Sequence, residues 1–248
     1  MTTPKTMTFW DHLDELRRRL LWSLAAMVIA AVGGFFLSFR ALDFLIQPFM
    51  DQVTGSLALL APADGFVVQV KIALVLGLLV AAPFVFFELY GFIGPGLKPK
   101  EKRWLWPVVI IGTLLFWGGV VFAWVILPAA LEFLGSFAQS GVQNFWSLKN
   151  YINLVLFLLL AFGLIFQLPL IIGLLIASGL VRAEVFRHHR RYAIVAIFIV
   201  AAVATPTTDA VTMMLMVLPL VVLYELSIWI GVLVESKRRK QRSTIEPC

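Results

Sequence analysis

"NYINLVLFLLLAFGLIFQLPLIIGLLIASGLV" runs from Asn150 to Val181 without one charged side chain. A helix needs ~20 apolar residues to cross a bilayer, and this run exceeds that length. Similar runs lie on both sides of it. Leu20 to Phe39 is the first, Phe66 to Phe87 the second with Lys71 near one end, and Trp104 to Leu131 the third. Beyond Val181, Tyr192 to Thr208 is the fifth. The sixth begins after Asp209 and reaches Val234, interrupted by Glu225. The whole chain of 248 residues is 61% apolar and 14% charged, far from soluble globular usage. The expected fold class is an all-α integral membrane protein of six transmembrane helices. Residues 1–248 form a single polytopic membrane domain in this reading. Its spans are expected near 20–39, 66–87, 105–128, 152–177, 192–205 and 210–224. The last helix can continue to 234, and a basic tail follows over 235–248.

The positive charges orient the spans. Of the 20 Lys and Arg, all but Arg40, Lys71 and Lys149 fall in the N-terminal segment, the second loop, the fourth loop or the tail. Those four segments share one face in a six-span topology. The positive-inside rule therefore places both termini in the cytoplasm. Lys71 lies near the outer end of its span and can snorkel outward, towards Asp64. The basic excess is thus a topology signal, and nothing suggests a folded nucleic-acid surface. Membrane lipids are the expected partners of the basic anchors. The extreme N-terminus does not look like a cleaved signal peptide.

The fifth and sixth spans are short. Tyr192 to Thr205 makes about 21 Å of helix, and the stretch between Asp209 and Glu225 about 22 Å, against a hydrocarbon core of ~30 Å. Either Glu225 is buried or this end thins the bilayer. Outer segments "ALDFLIQPFM" (Ala41 to Met50) and "ALEFLGSFA" (Ala130 to Ala138) are apolar on one face and suit short interfacial helices.

The polar residues inside apolar runs narrow the function. Gln167 lies mid-way along the fourth span, two residues before Pro169, which frees backbone carbonyls of the preceding turn. It either satisfies those carbonyls or a neighbouring helix, or meets another membrane segment or a substrate. Glu88 reads as a solvated helix end, and Glu225 as a structural hydrogen-bonding group. The single cysteine, Cys248, allows neither an intramolecular disulfide nor a cysteine metal site. No zinc-protease helix, phosphate loop or nucleophile elbow is present. Adjacent His188 and His189 sit among arginines and make poor metal ligands. No enzyme, no cofactor and no resident metal are expected.

The N-terminal "WDHLDELRRRLLW", Trp10 to Trp22, packs three acids, a histidine and three arginines against the first span. Thr8 with Asp11 fits a capping box at a helix start. Asp14 with Arg18 and Glu15 with Arg19 form i,i+4 pairs in the favourable order. Arginines anchor to anionic headgroups, but acids do not. A second cluster, "GFIGPGLKPKEKRW" from Gly91 to Trp104, lies on the same side and sets Glu101 among basic residues. Two carboxylate-bearing sites on one face suit a basic peptide, because a guanidinium pairs with carboxylates bidentately.

"HLDELRRRL" (His12 to Leu20) resembles the N-terminal signature of the TatC family, the multi-span receptor subunit of the twin-arginine protein translocase. "FIGPGLKPKEKR" (Phe92 to Arg103) resembles the family's first cytoplasmic loop. "FQLP" (Phe166 to Pro169), "TPTTD" (Thr205 to Asp209) and "LPLVVLYE" (Leu218 to Glu225) match in order and in the expected spans. The resemblance implies six helices in a concave, glove-like arrangement with short fifth and sixth helices. It implies recognition of twin-arginine signal peptides of folded precursor proteins. It also implies export with TatA/TatB-like single-helix subunits, driven by the proton motive force across the inner membrane of a prokaryote. Glu15 and Glu101 would bind the arginines, Phe92 would contact the peptide, and Arg17 and Arg19 would hold the N-terminal site. Gln167 would meet a partner helix. Pro48 and Asp209 match outer-side positions, and a homo-oligomer within the translocase is implied. Met213 and Met214 stand where the family often carries Gln, so that position of the sixth helix lacks the polar group. The competing readings are a proton- or ion-coupled small-solute transporter, for which the midplane offers little beyond Gln167, and an intramembrane enzyme, which lacks paired acids.

Overall fold

The computed structural model describes residues 9–53, 55–93, 105–136, 145–178, 181–204 and 210–243. Helix α1 spans Phe9–Gln52, α2 Asp64–Ile93 and α3 Leu105–Ser136. Helix α4 spans Leu148–Ile165 and α5 Leu168–Ser178. They are followed by α6 at Ala183–His188, α7 at Arg190–Ala204 and α8 at Ala210–Ser243. Three-residue strands β1, Ser56–Ala58, and β2, Phe145–Ser147, pair in parallel with Leu57 opposite Trp146. The sequence held no sign of this pair, because three residues carry no usable alternation.

Four helical spans are long and apolar enough to cross a membrane: α1, α2, α3, and α4 taken with α5. A shorter apolar stretch, Met216–Val232, lies in α8. Val28, Ile29, Val32 and Phe36 of α1 are exposed in the isolated chain. An apolar face of that size is costly in water and ordinary in lipid.

Several helices outrun their expected spans. The 44 residues of α1 make about 66 Å of helix at 1.5 Å per residue. Ala41 to Met50 is therefore not a separate interfacial helix but the far end of α1, with Pro48 inside it. In the same way α3 absorbs the segment from Ala130 to Ser136. Helix α8 passes through Glu225 and continues to Ser243, so most of the basic tail is helical. Lys, Arg, Gln and Glu are good helix formers, and no Gly or Pro interrupts that stretch after Gly231. The apolar run that opened the sequence is broken as Pro169 leads one to expect. Gln167 donates its N–H to the carbonyl of Leu164 at 3.0 Å, three residues back, and α5 restarts at Leu168.

The chain forms two compact units, one from residues 1–42 and 66–113, the other from 43–65 and 114–248. Close backbone approach holds the first. A methyl on Gly77 would lie 2.6 Å from the Ala31 nitrogen, and one on Gly34 3.0 Å from the Ala73 carbonyl oxygen. Small residues let membrane helices pack at this range, where dispersion rather than water drives association. In the second unit α3 meets α4 through Gly119, which faces the Phe162 carbonyl, and α5 packs on α8 where Gly231 faces Ile176. Phe49, Leu131 and Ile152 are completely buried there.

Candidate functional site: the charged end of helices α1 and α2

The helical period decides which charges of α1 face α2. Glu15, Leu16, Arg19 and Ser23 are partly or fully covered, whereas Asp11, Asp14, Arg17 and Arg18 are exposed. Of the two i,i+4 pairs expected from the sequence, Glu15–Arg19 forms. Asp14 and Arg18 make no ion pair among the described residues. The reason lies on α2. Arg19 donates from Nε and Nη2 to Glu15 Oε1, at 3.0 and 2.8 Å, and from Nη1 to Glu88 Oε2 at 3.1 Å. The same Nη1 lies 3.4 Å from the Glu88 carbonyl oxygen. A planar guanidinium thus joins two helices and two carboxylates. Arg18 on the outer face has no α2 acceptor to hold it.

This trio carries one negative charge in excess. It is largely covered, with side-chain exposures of 14% for Glu15, 21% for Arg19 and 15% for Glu88. Glu15 Oε2 is buried and has no hydrogen-bond partner among the described residues. A buried carboxylate oxygen without a donor is unfavourable, so the arrangement is suited to accept one. One turn of α1 away, His12 stacks on Phe92 with centroids 4.3 Å apart and rings 23° from parallel. Phe92 is thus held against α1 one helical turn beyond Glu88.

Glu88 was the miss. Its expected role was a solvated helix end, and instead it holds Arg19. Gly91 was missed with it: a methyl there would collide with Arg19 Nη1. A carboxylate and a glycine three residues apart at a helix end were the available signal, but their partner is 69 residues away.

The remaining candidates lie elsewhere. Arg17 is exposed on α1. Glu101 and Asp209 are outside the described residues. Pro48 is buried near the far end of α1, next to Phe49, which packs edge-on to Trp146 and Tyr151. Tyr151 donates to the Leu45 carbonyl at 2.6 Å. Gln167 is buried at the α4–α5 break, 5% exposed. Asp64 pairs with Lys149 at 2.9 Å rather than with Lys71. Glu225 pairs with Arg190 at 2.9 Å, and the neighbouring Tyr224 donates to the Phe186 carbonyl at 2.8 Å. That pairing gives Glu225 the structural role its position suggested. Among the described residues no group of three or more His, Cys, Asp or Glu is placed to hold a metal.

Comparison with known proteins adds an independent line. The model of the family described as TatC, Sec-independent protein translocase protein, matches residues 11–219. The chain is 34% identical to the Sec-independent protein translocase protein TatC of Koribacter versatilis over 96% of its own length and 90% of that protein's. It is 39% identical to the chloroplastic TATC of Arabidopsis thaliana over 91% of its length, and it spans 66% of that longer protein. A solved structure of the twin arginine translocase receptor TatC superposes with a TM-score of 0.78 at 35% identity. That match covers 90% of this chain and 99% of the other.

Proposed function

Because the chain belongs to the TatC family of Sec-independent protein translocase proteins, we propose that the charged end of α1 and α2 reads the arginines of a signal peptide. The chain is a multi-pass membrane subunit of the twin-arginine translocase, with the six-helix fold of that family, and not a small-solute transporter. The observation that supports the site is Glu15 Oε2, a buried acceptor lacking a donor in a trio of net charge −1.

Arg19 occupies Glu15 Oε1 and orients the carboxylate, leaving Oε2 for an incoming guanidinium. Hydrogen bonds to a charged acceptor in covered surroundings are the strong ones. Phe92, stacked on His12, offers an apolar ring beside that point for the peptide's own side chains. Glu101, in the chain segment that follows α2, supplies the second carboxylate, and exposed Arg17 anchors α1 to anionic headgroups. This face is cytoplasmic, as are both termini, on the positive-inside count. The membrane is the inner membrane of a prokaryote.

Partner subunits complete the work. Buried Gln167, at the α4–α5 break, meets a TatA/TatB-like single helix, while Pro48 and Asp209 serve the outer side. The subunit acts non-catalytically within a homo-oligomeric translocase that exports folded proteins on the proton motive force.

Photocrosslinking of a twin-arginine signal peptide to the purified chain in nanodiscs tests the site. Glu15→Ala and Glu101→Ala each lower crosslinking by about tenfold or more, since a hydrogen bond to a charged group contributes about 1.5–3 kcal/mol. Crosslinking at the wild-type level in the double variant overturns the assignment. Co-purification from membranes tests the partners: recovery of single-helix amphipathic subunits is expected, and their consistent absence counts against the assembly.

A further inference from the structure

Resting on that reading of the site, the geometry points to Glu88 as a positioning residue for signal-peptide binding, acting through Arg19 with Gly91 as the clearance that lets it do so. Glu88 does not meet the peptide itself. It fixes the guanidinium that fixes Glu15.

Three observations carry this. First, Arg19 is shared: two nitrogens go to Glu15 Oε1 and the third to Glu88 Oε2 and the Glu88 carbonyl. With its far nitrogen held on α2, the guanidinium is kept where both of its near nitrogens meet Oε1 of Glu15. An Arg19 released from Glu88 is free to form the bidentate fork that arginine and carboxylate prefer. That fork would consume Oε2, the oxygen now buried without a donor. Second, Glu88 sets the charge. With it the trio is net negative and attracts a cation; without it Glu15 and Arg19 neutralise each other. Third, Gly91 is buried against the Arg19 guanidinium, and any β-carbon there would displace Nη1 from Glu88. The displaced atom is the tip of a flexible side chain, so the fold can yield where the hydrogen bond cannot.

Gly91→Ala separates positioning from folding. It keeps every charge, and alanine is the better helix former, so the melting temperature should hold or rise. Glu88→Gln instead keeps the shape and removes the charge. Binding of a twin-arginine signal peptide to the full chain in nanodiscs is the readout, with a twin-lysine peptide beside it. Both variants are expected to weaken the twin-arginine peptide by about fivefold to tenfold, less than the loss expected at Glu15 because both act on the peptide's contact only through Arg19. In the Gly91→Ala background, Arg19→Gln is expected to add little further loss, because the two act through one contact. Unchanged affinity in both Gly91→Ala and Glu88→Gln, with Glu15→Gln still weakening binding, overturns the inference and leaves the site reading intact. Loss of binding that only follows loss of thermal stability in both variants also overturns it. Unchanged affinity in Glu15→Gln overturns the site reading itself.

Discussion

Two carboxylates near helix ends, Glu15 and Asp64, are covered to a similar degree and do different things. Asp64 is saturated. Its Oδ1 accepts from Lys149 Nζ at 2.9 Å and its Oδ2 from the Ala61 backbone N–H at 3.1 Å. Each oxygen has a donor, one from a lysine on α4 and one from the turn that starts α2. Glu15 is lopsided: both of its donors converge on Oε1, and Oε2 has none among the described residues. The first arrangement ties a loop to a helix. The second leaves an acceptor open at a cost in stability, the feature on which the proposed site rests.

The sharpest way to break this contrast is to neutralise both acids without changing their shape. Glu15→Gln is expected to lower signal-peptide crosslinking by about tenfold or more with a small effect on melting temperature. Asp64→Asn is expected to do the reverse, lowering the melting temperature while crosslinking per folded molecule stays at the wild-type level. Equal loss of crosslinking in both variants would mean that the open oxygen carries no special role.

A second experiment sharpens the saturated half. Lys149→Met removes the donor and leaves a covered carboxylate beside an apolar chain, which destabilises more than removing the pair together. The double variant Asp64→Asn, Lys149→Met is therefore expected to melt above Lys149→Met alone. Additive losses would show that the 2.9 Å contact contributes nothing of its own.

The difference between these two carboxylates also marks the limit of the sequence. The four long apolar runs and the interruption next to Pro169 were legible because each is a local property: run length, and a residue without an N–H. Glu15 was legible as an anomaly, since headgroup anchoring explained the arginines of its cluster and not the acids. Which i,i+4 pair would form was not legible, because Asp14–Arg18 and Glu15–Arg19 have the same spacing. Glu88 on α2 decides it from 69 residues away in the chain. Asp64 was matched with Lys71, its neighbour in sequence, and the structure gives it Lys149. Helix extents were underread for a related reason. A hydropathy window ends where charge begins, whereas the helix of α1 runs on past Arg40 and Asp43, and that of α8 past Glu235 and Lys237, since charged residues propagate a helix well.

The smallest expected effect concerns the packing around Pro48. Proline at 48 has no N–H, so the Phe44 carbonyl loses its usual helical donor inside α1. Just past that point the Tyr151 hydroxyl donates to the Leu45 carbonyl at 2.6 Å, and Phe49 fills the space between Tyr151 and Trp146. The tyrosine thus serves twice, its ring as core volume and its hydroxyl as a hydrogen-bond donor to a helix that carries a proline. Tyr151→Phe keeps the volume and deletes only the donor. It is expected to reduce stability by about 1 kcal/mol, the usual net worth of one hydrogen bond, read as a small drop in melting temperature in nanodiscs. Leu45 keeps the Phe49 N–H as a possible helical donor, which is why the loss stays modest. Signal-peptide crosslinking is expected to be unchanged, because nothing in this contact alters the donors of Glu15. A fall in crosslinking larger than the fall in folded fraction would mean that the far end of α1 biases its charged end. The contrast between a structural and a waiting carboxylate would then have to be redrawn as one coupled helix.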